Sequence, residues 1–242
     1  MERTFSDRKK TFKLLALMIF TILFVLEVSM ILINNSFYNN ASDDVLQYYT
    51  IIVDFISGLK DGTISWFNLN NYFGASFFSD VYYIPIDIFT GITFGLSYLM
   101  PIEVAYSVTE LIKIFFGVML FAYYLNLKGM KNRTIFWMGM IYFIGGGSIS
   151  YMAFPAFLSL TAYMPLALIV IHFFMHKKRW IVPLFSMAII FYDFYLGYTL
   201  LAFSCFAFLI EYFKEPGFNV FKFIKDTFIF VFLLLLGVLM AG

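Results

Sequence analysis

The sequence is poor in charge. Asp, Glu, Lys and Arg make up 13% of its 242 residues, and hydrophobic residues make up 62%, whereas soluble domains average about 25% charged and about 45–50% apolar residues. The 16 basic and 15 acidic residues nearly cancel, so no excess of positive charge points to a nucleic-acid partner. The composition therefore excludes an ordinary soluble domain, and it predicts an integral membrane protein that contacts membrane lipids and no nucleic acid.

Cysteine is nearly absent. The single cysteine, Cys205, lies in an apolar run and has no second cysteine with which to form a disulfide or a cysteine-based metal site. The residues alone therefore predict no metal ligands and no certain cofactor.

Long apolar runs are what the sequence has in excess. The first covers residues 14–33, which at about 1.5 Å per residue is enough to cross a hydrocarbon core of roughly 30 Å. Six further runs cover 103–127, 134–152, 155–175, 180–196, 197–213 and 227–241. The sequence therefore predicts an all-α fold, a polytopic transmembrane helical bundle that forms a single membrane-embedded module over residues 1–242.

Basic residues cluster at the ends of these runs. They are Arg3, Arg8, Lys9, Lys10 and Lys13 before the first run, then Lys128, Lys131 and Arg133, then Lys177, Lys178 and Arg179, then Lys214, Lys222 and Lys225. Because Lys and Arg concentrate in cytoplasmic loops, residues 1–13 are predicted to be cytoplasmic and 34–102 extracytoplasmic. A full crossing by 81–100 would move every later cluster outside. That segment is therefore predicted to lie along the outer interface or to re-enter; a full crossing requires a bend within 103–127.

The predicted external loop contains an amphipathic pattern that begins at Asp43. Polar residues recur at 43, 47, 50, 54, 57 and 61, while Val45, Tyr49, Ile52 and Ile56 form another face. This pattern predicts a helix at the membrane surface, with Ser42 as its N-cap and Gly58 near its end. Asp43 and Asp44 would then either take a proton from an acceptor hydroxyl or hold a cation, or simply favour the positive end of the helix dipole.

Charged residues also fall inside or near the ends of predicted spans. They include Glu110, Lys113 and Asp193. A charge at mid-membrane costs about 2.5–3.5 kcal/mol, so these residues predict an internal polar cavity. Glu110 and Lys113, three residues apart, either neutralise each other or place Lys113 against an anionic phosphate. Asp193 lies among tyrosines, either in an aromatic belt at the water line or in the same external pocket as the first loop.

Four stretches in this order resemble the N-terminal membrane region of the bacterial YfhO family. They are "SDDVLQYY", "DGTISWFNLNNYFGASFFSDVYYIPIDIF", "GGGSISYMAFPAFLSLTAYMPLALIVI" and "FYDFYLGYTLLAFSCFAFLIEYF". The resemblance implies a GT-C-like glycosyltransferase, which transfers a sugar from a polyprenyl-phosphate donor to an extracytoplasmic cell-wall polymer such as lipoteichoic acid. Members of the family are several times longer. The resemblance therefore implies a truncated paralogue, a fragment or a split subunit, and the alternative is a non-catalytic transporter or partner subunit.

The resemblance also implies roles for individual residues. The family's catalytic Asp, which precedes an "xxxQY" pattern, falls on Asp43. The family usually has Gly before this Asp and a small polar residue after it, where this chain has Ser42 and Asp44, so Asp44 is a second candidate. An Asp at this place would act as general base on the acceptor hydroxyl, and a protein cation or a divalent metal would offset the charge of the leaving phosphate. The expected substrate-binding residues are Gln47, Tyr48, Trp66, Asp80, Tyr82 and Tyr83. Lys113 and Asp193 are added to this set because of their charges within the predicted spans, and the family assigns no role to Lys113.

Overall fold

The computed structural model describes residues 2–34, 49–63, 67–68, 75–76, 88–145, 158–192, 194–214 and 218–241. Nine helices fall within these ranges. They are α1 (Glu2–Asn34), α2 (Thr50–Asp61), α3 (Ile88–Leu96), α4 (Ile102–Leu127), α5 (Asn132–Ile144), α6 (Leu160–Met175), α7 (Ile181–Tyr192), α8 (Phe194–Phe213) and α9 (Val220–Ala241). Two strands of two residues, β1 (Phe67–Asn68) and β2 (Ala75–Ser76), pair antiparallel. The described part of the chain is therefore mainly helical, as the apolar runs predicted.

Four of the described helices are long and apolar enough to cross a membrane. The stretches are Asp7–Ser29, Ile102–Leu127, Leu196–Phe213 and Val220–Ala241. Such helices are typical of integral membrane proteins, because a helix satisfies its backbone hydrogen bonds internally where no water is present.

The other three predicted spans correspond to shorter helices. The helices α5, α6 and α7 have 13, 16 and 12 residues. Residues 146–152, 155–157 and 193, which belong to the predicted spans, lie outside the described residues. The seven-span topology and the single module therefore stay predictions.

The chain divides into two compact units, Met1–Ala162 and Tyr163–Gly242. In the first unit, one stripe of α1 is buried: Leu15, Ile19 and Leu23 lie four residues apart and are at most 4% exposed. This stripe packs on α4 and α5. A Cβ atom added to Gly139 of α5 would lie 2.8 Å from the Leu15 side chain, so glycine there permits the close approach of the two helices.

The helix α2 shows the predicted amphipathic pattern, but its apolar face packs on protein. Ile52 and Ile56 are buried in one cluster with Tyr106 of α4, while Thr50, Asp54 and Asp61 are exposed. The helix continues through Gly58 and ends at Asp61, where Gly62 adopts the left-handed conformation with φ of 64°. Residues 42–48, with the predicted N-cap, lie outside the described residues.

The helix α3 is too short to cross a membrane. Its nine residues cover about 14 Å. It runs antiparallel to the first half of α4, because Thr93 Oγ1 donates to Thr109 Oγ1 at 2.9 Å and the Phe89 and Phe116 rings lie 6.4 Å apart. The beginning of α3 therefore lies beside the middle of α4. Residues 81–87 lie outside the described residues, and re-entry into a membrane stays a prediction.

The second unit is built around the contact between α7 and α9. A Cβ atom at Gly237 of α9 would collide with Ser186 Oγ and with the backbone oxygen of Pro183 in α7. The Ser186 hydroxyl also donates to Leu234 O at 2.7 Å. Small residues and interhelical hydrogen bonds of this kind hold apolar helices together where the hydrophobic effect does not.

Candidate functional site: a buried polar cluster on α3 and α4

Five polar residues are buried between α3 and α4. Thr90 and Thr93 of α3 and Thr109, Glu110 and Lys113 of α4 are each at most 5% exposed. Within each helix the polar residues lie on one face, because they are three or four residues apart. The antiparallel packing then brings the two polar faces together, and we call these five residues the polar cluster.

The centre of the polar cluster is an ion pair within one helix. Lys113 Nζ lies 2.6 Å from Glu110 Oε1, and the two side chains are 4% and 3% exposed. Lys113 Nζ also lies 5.9 Å from the centroid of the Phe89 ring, a distance at which an aromatic face attracts a cation. At 1.5 Å per residue, Lys113 lies about 16 Å along α4 from Ile102. The charge therefore sits near the middle of the helix.

The hydroxyls of Thr93 and Thr109 also lie close to carbonyl oxygens of their own helices. Thr109 Oγ1 donates to Ala105 O at 2.8 Å, and Thr93 Oγ1 lies 3.1 Å from Phe89 O. An ammonium group has three N–H donors. Within the part of the chain that the structure describes, Lys113 donates a hydrogen bond to Glu110 and keeps further donor capacity. The cluster can therefore offer N–H groups to an anionic oxygen.

The helix α2 packs over the first turns of α4. The Tyr49 and Tyr106 rings meet edge to face with centroids 5.5 Å apart. Partial burial, followed by the charge of Glu103 and a hydrogen bond to it, raises the pKa of Tyr49 above its ordinary value. The phenol therefore stays protonated at neutral pH and donates to the Glu103 carboxylate. This contact fixes the chain just after residue 48 against the beginning of α4.

Most predicted site residues lie outside what the structure describes. Lys113 is buried beside Glu110, so the predicted proximity of these two residues is confirmed. The side chains that lie outside the described residues are those of Asp43, Asp44, Gln47, Tyr48, Trp66, Asp80, Tyr82, Tyr83 and Asp193. Their predicted roles stay predictions.

Sequence reasoning missed the three threonines. Thr90 and Thr93 are three residues apart in one apolar segment, and Thr109 lies four residues before Lys113 in the next. This spacing could have indicated two polar faces. Their pairing could not have been found this way, because threonine often bonds to the carbonyl of its own preceding turn.

The described residues contain no group of three His, Cys, Asp or Glu side chains that could hold a metal ion. The divalent metal expected from the resemblance therefore stays a prediction.

Fold and site together define a class: a helical protein whose described part has four helices suited to crossing a membrane and a charged pair buried in one of them. Comparison with known proteins does not assign the chain to a particular family within this class. No protein-family model, no curated protein and no solved structure matches the chain.

Proposed function

We propose that the chain is a multi-pass membrane glycosyltransferase of the GT-C class, similar to the YfhO family, with a cytoplasmic N-terminus. It transfers a sugar from a polyprenyl-phosphate donor to an extracytoplasmic polymer such as lipoteichoic acid. The observation that carries the proposal is the burial of Lys113, with 4% of its side chain exposed, in a helix long and apolar enough to cross a membrane. A buried ionisable residue in such a helix is by default a functional residue.

The chemistry of the donor explains why a buried lysine is useful. When the bond between the sugar and the phosphate breaks, negative charge develops on the departing polyprenyl phosphate. A cation already oriented in a site without water stabilises that charge strongly, because no solvent has to reorganise. Lys113 would supply this cation, and Glu110, bonded at 2.6 Å, would hold the ammonium in position.

The packing of α2 supports the role proposed for Asp43. Asp44 precedes Tyr49 by five residues, which span at most about 18 Å, and Tyr49 packs against Tyr106. Tyr106 lies seven residues before Lys113 on α4, about 10 Å along the helix. The segment with Asp43 and Asp44 can therefore reach the polar cluster. Asp43 would take the proton of the acceptor hydroxyl, a contribution of about 10²–10⁴ in rate.

The basic clusters support the proposed orientation within each unit. In the first unit, Arg8 donates to Asn126 Oδ1 at 2.9 Å, so the basic start of α1 lies at the same end as the junction between α4 and α5. In the second unit, Arg179 pairs with Asp226 at 2.9 Å, so the turn before α7 lies beside the start of α9. Basic clusters gathered at one end of a unit agree with the positive-inside rule.

The test is sugar transfer by the full chain in vesicles that contain a labelled polyprenyl-phosphate sugar and lipoteichoic acid. We expect Asp43→Asn to lower the transfer rate by about 10²-fold or more, and Asp44→Asn to do so instead if the second candidate is the base. The matched control is Asp54→Asn, which removes the same charge from the exposed face of α2 and should leave the rate unchanged. Undiminished transfer by both Asp43→Asn and Asp44→Asn would refute the assignment of the base.

The buried pair also suits a second function. A charged pair within an apolar helix is typical of a translocation path, and the rival is a transporter or a partner subunit without catalysis. The two functions differ in their product. An enzyme moves the label onto the polymer, whereas a transporter moves an intact solute across the vesicle wall and leaves the polymer unlabelled.

A further inference from the structure

A cavity of about 370 Å³ opens between the beginning of α1 and the end of α4. Its lining residues are Arg8, Lys9, Phe12, Lys13 and Asn126. Among the four residues from α1, Arg8 and Phe12 are four residues apart, and so are Lys9 and Lys13, so each of these two pairs lies on one side of the helix. The volume is within the range of sites for small ligands. We call this the basic cavity.

The basic cavity concentrates positive charge. Three of its five lining residues are cations and none is acidic. Arg8 is held by a neutral group, because its guanidinium donates to the amide oxygen of Asn126 at 2.9 Å. A guanidinium carries five N–H donors in a planar fork that matches phosphate oxygens, so this bond leaves donors to offer. A cavity that holds several cations beside a neutral anchor favours an anionic occupant.

The surface next to the basic cavity is apolar. The apolar run of α1 begins directly after Lys13, and its outward side chains are widely exposed: Leu14 is 52%, Leu17 62%, Phe20 62% and Phe24 59% exposed. An occupant that entered the cavity with a charged group would therefore have hydrocarbon-compatible surface along the following three turns. This combination fits a lipid better than a free ion.

We propose that the basic cavity binds the phosphate of an anionic membrane lipid, with Arg8, Lys9 and Lys13 around the headgroup and the acyl chains along α1. Basic pockets between transmembrane helices on the cytoplasmic side bind anionic headgroups in this way. The proposal concerns a site at the end of α4 remote from the polar cluster, and it does not depend on the reaction proposed above.

The test is lipid binding to the purified full chain, measured by native mass spectrometry with phosphatidylglycerol and phosphatidylcholine of equal chain length. We expect phosphatidylglycerol to bind at least about tenfold more tightly. The decisive variant is Asn126→Asp, which keeps an acceptor for Arg8 but places a negative charge in the cavity. It should weaken phosphatidylglycerol binding about fivefold to tenfold, since one charge at the membrane surface is worth roughly that factor.

Two controls separate a built site from general attraction. Asn219→Asp adds the same charge at an exposed position in the other unit and should leave binding unchanged. The second control compares the lipid affinity of Lys13→Gln with that of Lys10→Gln, each of which removes one positive charge. Both lysines are exposed on α1, but of the two only Lys13 lines the basic cavity. We expect weakened binding for Lys13→Gln alone.

Three results would overturn the proposal. The first is equal affinity for the two lipids. The second is an equal loss in each variant and its control. The third is displacement of the bound lipid by millimolar inorganic phosphate, which would assign the basic cavity to a free anion. Should Asn126→Asp fail to fold, the comparison of Lys13→Gln with Lys10→Gln decides alone.

Discussion

The two units each contain a buried acidic group paired with a cation, but the two pairs are built differently. In the first unit, Glu110 and Lys113 belong to one helix, and their side chains are 3% and 4% exposed. In the second unit, Arg179 lies before α7 and Asp226 lies in α9, 47 residues apart, and their side chains are 43% and 12% exposed. The Glu110–Lys113 pair is buried and lies within one helix, whereas the Arg179–Asp226 pair is partly exposed to solvent and connects segments that are distant in the sequence.

The difference bears on the roles that we propose for the two pairs. The Arg179–Asp226 pair connects the turn before α7 with helix α9, and Tyr212 also donates to Asp226 Oδ2 at 3.3 Å, so this pair has an evident use in folding. The Glu110–Lys113 pair lies within one helix, with Lys113 Nζ 5.9 Å from the centroid of the Phe89 ring of α3, and removing two charges from water is costly. The cost of this burial is the reason that we propose a functional role for the ammonium group.

The largest effect should come from Lys113→Met, which leaves the Glu110 carboxylate buried without its cation. Removing one partner of a buried pair destabilises a protein by about 3–5 kcal/mol, whereas replacing both by apolar residues is often neutral or stabilising. The double variant Lys113→Met with Glu110→Leu should therefore recover the stability of the original chain. Reversible unfolding in detergent measures both free energies.

Sugar transfer by this double variant tests whether the Glu110–Lys113 pair takes part in the proposed reaction. Under the proposed function, the double variant folds normally but does not transfer sugar, because the cation for the leaving phosphate is gone. A double variant that folds and transfers sugar normally would show that the Glu110–Lys113 pair has no part in the reaction.

The next effect should come from Arg179→Met. Loss of a hydrogen bond to a charged group costs about 1.5–3 kcal/mol, less than the loss of Lys113 because Asp226 keeps its contact with Tyr212. The control is Lys214→Met, whose lysine is 64% exposed and lies 3.5 Å from Glu211; an exposed pair of this kind contributes about 1 kcal/mol or less. Equal unfolding free energies for the two variants would show that Arg179 does not connect α7 with α9.

The smallest effect should come from Gly237→Ala, about 1–3 kcal/mol of destabilisation. The added methyl group would meet Ser186 Oγ and the backbone of α7, and a backbone cannot move away as a flexible side chain can. The control is Gly95→Ala in α3, where the methyl group enters open space and the gain in helix propensity should stabilise slightly. Thermal unfolding of both variants measures the difference. A Gly237→Ala variant as stable as the original chain would show that the close approach of α7 and α9 at this position does not contribute to the stability of the second unit.

Some features could be predicted because they depend on neighbours in sequence. The apolar run from Leu14 predicts α1, since a helix of that length satisfies its own backbone hydrogen bonds without a partner. The ion pair of Glu110 and Lys113 follows from their spacing on one helix. The burial of Ile52 and Ile56 follows from the periodicity of α2.

Other features could not be predicted because they depend on a distant partner. Periodicity identifies the apolar face of α2 but not whether lipid or Tyr106 covers it, because both are apolar. The same limit applies to the contact of Thr93 with Thr109 and to the approach of Gly237 to Ser186, where each residue is ordinary within its own helix.

The sequence by itself therefore determined that this protein is helical, that several of its helices are apolar enough to cross a membrane, and that its basic residues gather at helix ends. These properties follow from local hydrogen bonding and from the free energy of transfer of each side chain. Only the tertiary structure decided that α3 covers the charged face of α4 and that Arg8 and Lys13 line one cavity with Asn126. Such contacts arise from packing between segments that are far apart in the chain.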